Sequence, residues 1–235
     1  TLDAQLYAEF ISASTWLDFA LIFGVFGVYT YGIREAAKIR DDREKSRRLF
    51  SSLFAINIVT NAVVLSAYSG VVLFSMGTLA RPIYLTLGIK VFANIFMVEW
   101  LNEALENYRF ITIKTVLVRL VYAGLIFAFI HKPEDVVTYC LIIVATDILN
   151  NVASFVYIQR KLPLTFKGLE IKRHILPLLS ILVISNVNLL YTQLDKLLLD
   201  QTVSSMATTI YRIPQDITNL VSGLLASMVM VAVPR

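Results

Sequence analysis

Apolar residues fall along this chain in seven long blocks separated by short polar links. A helix that crosses about 30 Å of hydrocarbon at 1.5 Å per residue needs about 20 mostly apolar residues, and each block is that long. The pattern predicts spans over about residues 10–32, 49–76, 82–102, 111–130, 136–158, 175–194 and 207–233. Lys90 interrupts the third, the Asn186/Asn188 pair interrupts the sixth, and Pro214 lies near one end of the seventh. Gly32, closing the first block, suits the left-handed conformation of a helix C-cap. The expected fold class is all-α, a polytopic transmembrane helix bundle. The chain opens on Thr1 and closes on Val233, Pro234 and Arg235 directly after an apolar block, as a piece of a longer protein would.

The charges fall on alternate links. Arg34, Lys38, Arg40, Arg43, Lys45, Arg47 and Arg48 follow the first block, and Arg109, Lys114 and Arg119 separate the third from the fourth. Arg160, Lys161, Lys167, Lys172 and Arg173 lie between the fifth and sixth, and Arg235 follows the seventh. These are sixteen of the 21 basic residues. Short cytoplasmic links are enriched in Lys and Arg, so the start of the chain is expected outside the cell membrane and its end inside. The stretch from Arg34 to Arg48 also holds Glu35, Asp41, Asp42 and Glu44, which suits a helix lying at the inner surface. This topology explains the net charge of +4 without a nucleic-acid partner. The link over residues 159–174, with Pro163 and Gly168, is the expected boundary between two helical bundles, residues 1–168 and 169–235.

Composition agrees. Apolar types make up 57% of the chain and charged types 16%, against about 25% charged in soluble domains, and the mean hydropathy is +0.70. Cys140 is the single cysteine, which excludes an internal disulfide and makes no cysteine metal cluster. His131 and His174 are far apart, the first in a turn beside Pro133 and the second at headgroup level. No HExxH, GxSxG or phosphate-loop pattern occurs, and the Asp41-Asp42 pair lies among cations that disfavour a divalent metal. No cofactor, metal or catalytic residue is expected.

Polar groups inside spans are the candidate chemistry, because each is costly in lipid and tends to face a protein interior or a wet cavity. They are Asp18, Asn57, Asn61, Lys90, Asn94, Glu99, Asp147, Asn150, Asn151, Asn186, Asn188, Asp216 and Asn219. Asn57 and Asn61 share a helix face, as do Lys90 and Asn94. The asparagines read first as helix-to-helix hydrogen bonds, worth about 0.6 kcal/mol each on average. Lys90 and Asp18 read as lining a polar cavity. Glu99, Asp195, Lys196 and Arg212 lie near span ends, where headgroup water is within reach.

Three blocks carry a family resemblance. Residues 31–45, YGIREAAKIRDDREK, continued by SSLF at 51–54, resemble the inner loop after the second span of polysaccharide repeat-unit flippases of the Wzx type. Residues 99–114, EWLNEALENYRFITIK, are similar to the end of that family's fourth span, and LDKLLL at 194–199 to its seventh. The family belongs to the multidrug/oligosaccharidyl-lipid/polysaccharide exporter superfamily. The chain departs from it where Asp18-Phe19 is followed by Ala20 and Trp100 by Leu101.

The resemblance implies that the seven spans are the family's second to eighth, within a V of two bundles that works by alternating access. It implies an undecaprenyl-diphosphate-linked oligosaccharide as substrate, flipped from the cytoplasmic to the outer leaflet. Membrane lipids and the polysaccharide polymerase machinery are the implied partners. A diphosphate needs cations, which points to Lys90, Arg81 and Arg212, with Asn94 beside them. Asp18, Asp147 and Asp195 are the carboxylates for a coupling ion. The alternatives are an exporter of other molecules in the same superfamily, or a membrane glycosyl- or acyltransferase acting on polyprenyl-linked sugars.

Overall fold

The computed structural model describes the backbone of residues 3–75, 77 and 80–232, and their side chains except at 185, 186, 188–190, 192 and 226–232. The described residues form nine α-helices and no strand. These are α1 (Ala4–Val25), α2 (Val28–Lys38), α3 (Arg43–Ser75), α4 (Arg81–Asn94), α5 (Glu99–Ala104), α6 (Tyr108–Phe129), α7 (Val136–Lys161), α8 (Ile171–Thr202) and α9 (Ser205–Ala232). Five segments are long and apolar enough to cross a membrane: Ala4–Lys38, Arg43–Ser75, Arg81–Ala104, Tyr108–Phe129 and Val136–Lys161. They take the first five predicted spans. The sixth and seventh fall on α8 and α9, which are 32 and 28 residues long. The molecule is a polytopic helical bundle, as the apolar pattern predicts.

Two of the five segments are broken, and neither break is where the sequence suggested. Gly32 does not end a helix; it is interior to α2 and buried against the Trp100 ring, where a Cβ would come within 2.5 Å of a ring carbon. The break lies earlier, at Phe26 and Gly27, both left-handed with φ of 49° and 72°. Gly27 is also pressed against α8, since a Cβ there would lie 2.9 Å from the Leu178 carbonyl oxygen. The second break separates α4 from α5 at residues 95–98. No glycine or proline marks it in the sequence.

A broken helix leaves carbonyls without intrahelical donors, and lipid supplies none in their place. The buried asparagines do. Asn57 donates to the carbonyls of Asn94 at 2.9 Å and Ile95 at 3.0 Å. Asn61 donates to the Gly24 carbonyl at 3.1 Å, and Thr60 reaches the same oxygen at 3.0 Å. Asn94 donates to the Asn61 side chain at 2.9 Å, joining the two breaks, and Asn151 reaches the Ala93 carbonyl at 3.1 Å. The shared face of Asn57 and Asn61 is thus a seam between α1, α3 and α4.

Apolar packing flanks this seam on both sides. One cluster gathers Phe50, Leu53, Trp100, Leu101, Ile158 and Leu178; the other gathers Leu17, Tyr68, Ile83, Leu87, Val91 and Cys140. By contrast α6 is almost wholly exposed, with Leu117, Leu120 and Phe127 turned outward, which is a lipid-facing surface.

The basic links collect at one end of the bundle. Arg40 pairs with Glu106, Arg43 donates to the Lys161 carbonyl at 3.0 Å, and Lys161 reaches Asn107 at 2.8 Å. The link after α7 is strapped to α3 by the amides of Thr165 and Glu170, which donate to Ser51 and Ser52. At the far end the Asp3 amide donates to the Pro133 carbonyl at 2.8 Å, and Asp135 accepts the amides of His131 and Lys132. Those amides hold the Asp135 carboxyl below its usual range.

Replacing Asn57 by Leu keeps the branched shape and takes the side-chain donor from the Ile95 carbonyl, while the Asn94 carbonyl keeps the Met97 amide. The expected loss is about 1–2 kcal/mol, read as a lower thermal midpoint of the detergent-solubilised protein. An unchanged midpoint would mean that the freed Ile95 carbonyl needs no partner.

Candidate functional site

Three polar clusters lie within the bundle. The first joins α1 to α8 and α9. The Arg212 guanidinium, only 17% exposed, lies 3.5 Å from Asp18 and 3.4 Å from Asp216, one turn further along α9. It also donates to Thr15 Oγ1 at 3.2 Å and the Ile11 carbonyl at 3.3 Å. Lys196 of α8 is buried and lies within electrostatic reach of Asp18, Asp216 and Arg212. Two cations and two carboxylates therefore meet where three helices pack.

The second cluster joins α4 to α7. Lys90 Nζ is 2.8 Å from Asp147 Oδ2. The pair opens on a cavity of about 370 Å³ that also reaches Thr115, Arg119, Tyr122 and Asn150. Lys90 is also within electrostatic reach of Asp18, which links the two clusters.

The third cluster is closed. Lys114 of α6 is buried, 2.8 Å from Glu99 and 2.7 Å from Ser154, and Ser154 donates to the other Glu99 oxygen at 2.6 Å. The two charges are paired, so this triad fixes α5 and α6 on α7. Glu99, near a span end, keeps 19% of its side chain exposed. Lys114→Met leaves the largely covered Glu99 carboxylate without its cation, with only the Ser154 hydroxyl as donor. The expected cost is about 3–5 kcal/mol, seen as loss of folded protein, with much of it recovered in a Lys114→Met/Glu99→Leu double variant.

The sequence-predicted residues divide accordingly. Lys90, Asp147, Asp18 and Arg212 enter the open clusters. Asn94 does not: it is 9% exposed and its amide is spent on the seam. Arg81 stands at the start of α4, on the same helix as Lys90. Asp195 makes no ion pair among the described residues. Asn186 and Asn188 lie outside the described side chains.

Some polar contacts had no clear signal. Asp200, near the end of α8, accepts from Ser12 at 2.6 Å and Trp16 at 3.4 Å on α1. Its partners lie on α1, nearly two hundred positions away, which sequence spacing cannot show. At the basic end the His174 imidazole is buried, not solvated at headgroup level, and meets the Tyr31 hydroxyl at 2.8 Å. Burial, and next the Arg173 guanidinium, hold the imidazole below its usual range. A lowered base is neutral in the folded state. Its contribution is complete above the unfolded value near pH ~6.5 and is lost as pH falls through the folded value. Wild type should therefore lose more thermal stability between pH 7.5 and pH 5 than His174→Leu does; equal losses would remove His174 from the acid response.

Among known proteins, the family described as polysaccharide biosynthesis protein matches this chain over residues 1–235. No curated protein and no solved structure matches it.

Proposed function

We propose that this chain, which belongs to the polysaccharide biosynthesis protein family, carries a lipid-linked oligosaccharide across the cell membrane by alternating access. The observation that carries this reading is the cluster of Asp18, Arg212, Asp216 and Lys196 between α1 and α8–α9. Charges are kept inside apolar helices at a cost. A cluster that only held helices together would be replaceable by apolar packing at little loss.

A polyprenyl tail can stay in lipid while its diphosphate and sugars cross, so the protein must supply a polar route for the head alone. Arg212 suits a phosphate, because its fork can give two parallel hydrogen bonds. In the absence of substrate those donors rest on Asp18 and Asp216. A diphosphate that displaces Asp18 from Arg212 loosens α9 from α1, and the released carboxylate takes up a proton or cation. Binding, coupling and opening are then one exchange of partners. Lys90 and Asp147 form a second exchangeable pair, and Asp195 is a further carboxylate for the coupling ion. Residues 1–168 and 169–235 belong to the two bundles that move, with the strapped link over residues 162–170 between them. The reading involves no covalent step, cofactor or metal. The product is handed to the polymerase machinery of the outer face.

The test uses the intact gene. After its deletion, a membrane-impermeant sugar-modifying probe should find the lipid-linked oligosaccharide trapped on the cytoplasmic side, and re-expression should release it. Lys90→Ala should impair that release at an unchanged protein level. Normal arrival of the finished unit outside in the deletion strain would reject the reading, and an incomplete sugar would favour a transferase instead.

A further inference from the structure

Arg119 falls in an unexpected place. The charge pattern groups it with the basic link before the fourth span, but the structure puts it eleven residues past the start of α6 and ten before its end. At 1.5 Å per residue it is about 16 Å from the basic end of a spanning helix, further than an arginine side chain extends to reach headgroups. Its guanidinium has no ion-pair or hydrogen-bond partner among the described residues. An unpaired cation at this depth marks a functional site unless something neutralises it.

Its surroundings are built to hold something. Thr115, Arg119 and Tyr122 stand at i, i+4 and i+7 on one stripe of α6. They share the 370 Å³ cavity with Asp147 and Asn150 of α7 and Lys90 of α4. Aromatic contacts frame the cavity along the helices. Phe110 stacks on Tyr157 at 3.8 Å on its basic side, and the Tyr122 hydroxyl meets Tyr139 at 3.3 Å on the other. These two contacts pin α6 to α7 and leave the polar stretch between them open. Lys90 and Asp147 neutralise each other, so the cavity keeps one net positive charge.

We infer that the cavity between α4, α6 and α7 is an anion site for a phosphate group, with Arg119 as its principal donor and Lys90 and Asn150 beside it. It is separate from the Asp18–Arg212 cluster. The depth selects the source. A resident phospholipid keeps its phosphate at the membrane surface, so a phosphate halfway across is one in transit. The occupant is therefore the diphosphate of the translocated lipid, a step that rests on the flippase reading. The exposed face of α6 provides lateral entry from the bilayer.

The test compares the full-length protein, Arg119→Gln, Arg119→Lys and Arg212→Gln in nanodiscs of phosphatidylcholine. Each is titrated with undecaprenyl diphosphate, phosphatidylglycerol or inorganic pyrophosphate, and binding is read from the rise in thermal midpoint. The ligand-free midpoints report folding. The expected result is undecaprenyl diphosphate binding that weakens about tenfold or more in Arg119→Gln and is largely kept in Arg119→Lys. Binding of phosphatidylglycerol alone, dependent on Arg119, would overturn the diphosphate as occupant and make the cavity a lipid headgroup site. Undecaprenyl diphosphate affinity unchanged in a folded Arg119→Gln, yet lost in Arg212→Gln, would overturn this inference and leave the flippase reading standing. Absence of undecaprenyl diphosphate binding in wild type would overturn both.

Discussion

Two spans of this bundle are interrupted inside the membrane, and the buried amide seam between α1, α3 and α4 is arranged around the carbonyls those interruptions set free. An unsatisfied carbonyl in hydrocarbon costs several kcal/mol. At Phe26–Gly27 and at residues 95–98 the side chains of Asn57, Thr60, Asn61 and Asn151 donate to those oxygens, beside the turn amides of Phe96 and Met97. The same bonds fix α1, α3 and α4 in one register. That register sets Asp18 of α1 toward Arg212 and Lys90 of α4 toward Asp147. A break also permits a bend, so the seam is both the rigid centre of the bundle and the place where its segments change direction.

The charged clusters differ in how far they are satisfied. Glu99, Lys114 and Ser154 all bond one another, with Lys114 and Ser154 buried and Glu99 only 19% exposed. Asp18, Asp216 and Asp147 keep between 37% and 54% of their side chains exposed while paired to Arg212 or Lys90. The first arrangement is suited to permanence. The second is suited to exchange, because an incoming anion can reach the cation and replace the carboxylate. On the proposed function such an exchange is what transport would use, since the polar end of a lipid carrier would cross while its tail stays in lipid.

The first five spans were legible because apolar length is a strong signal in lipid, and the alternation of Lys and Arg pointed to the links that meet at one end. The seam was half legible. Asn57 and Asn61 share a face four residues apart, but their partners are backbone atoms, which sequence spacing cannot name. Gly32 looked like a cap because small residues serve both caps and close packing; Trp100, far away in sequence but against it in the fold, decides between them. The break after Asn94 has an ordinary apolar sequence, Ile95 to Val98, and follows from side-chain donors on α3 and α7. Arg119 was grouped with the basic link by charge, although the apolar pattern over 111–130 already holds it inside the fourth span, as α6 does. Asp18 and Arg212 were each found from their residue type, but their pairing is long-range and only the fold shows it.

On the proposed function, the ion pair between α1 and α9 is part of the transport cycle. A charge swap tests it most directly, using Asp18→Arg, Arg212→Asp and the two together in the leaflet-accessibility assay. Each single variant should lose about tenfold or more of the translocation rate, as expected for loss of one charge-assisted contact, and the swapped pair should regain a substantial part of it. Folded single variants that translocate at the wild-type rate would contradict the account.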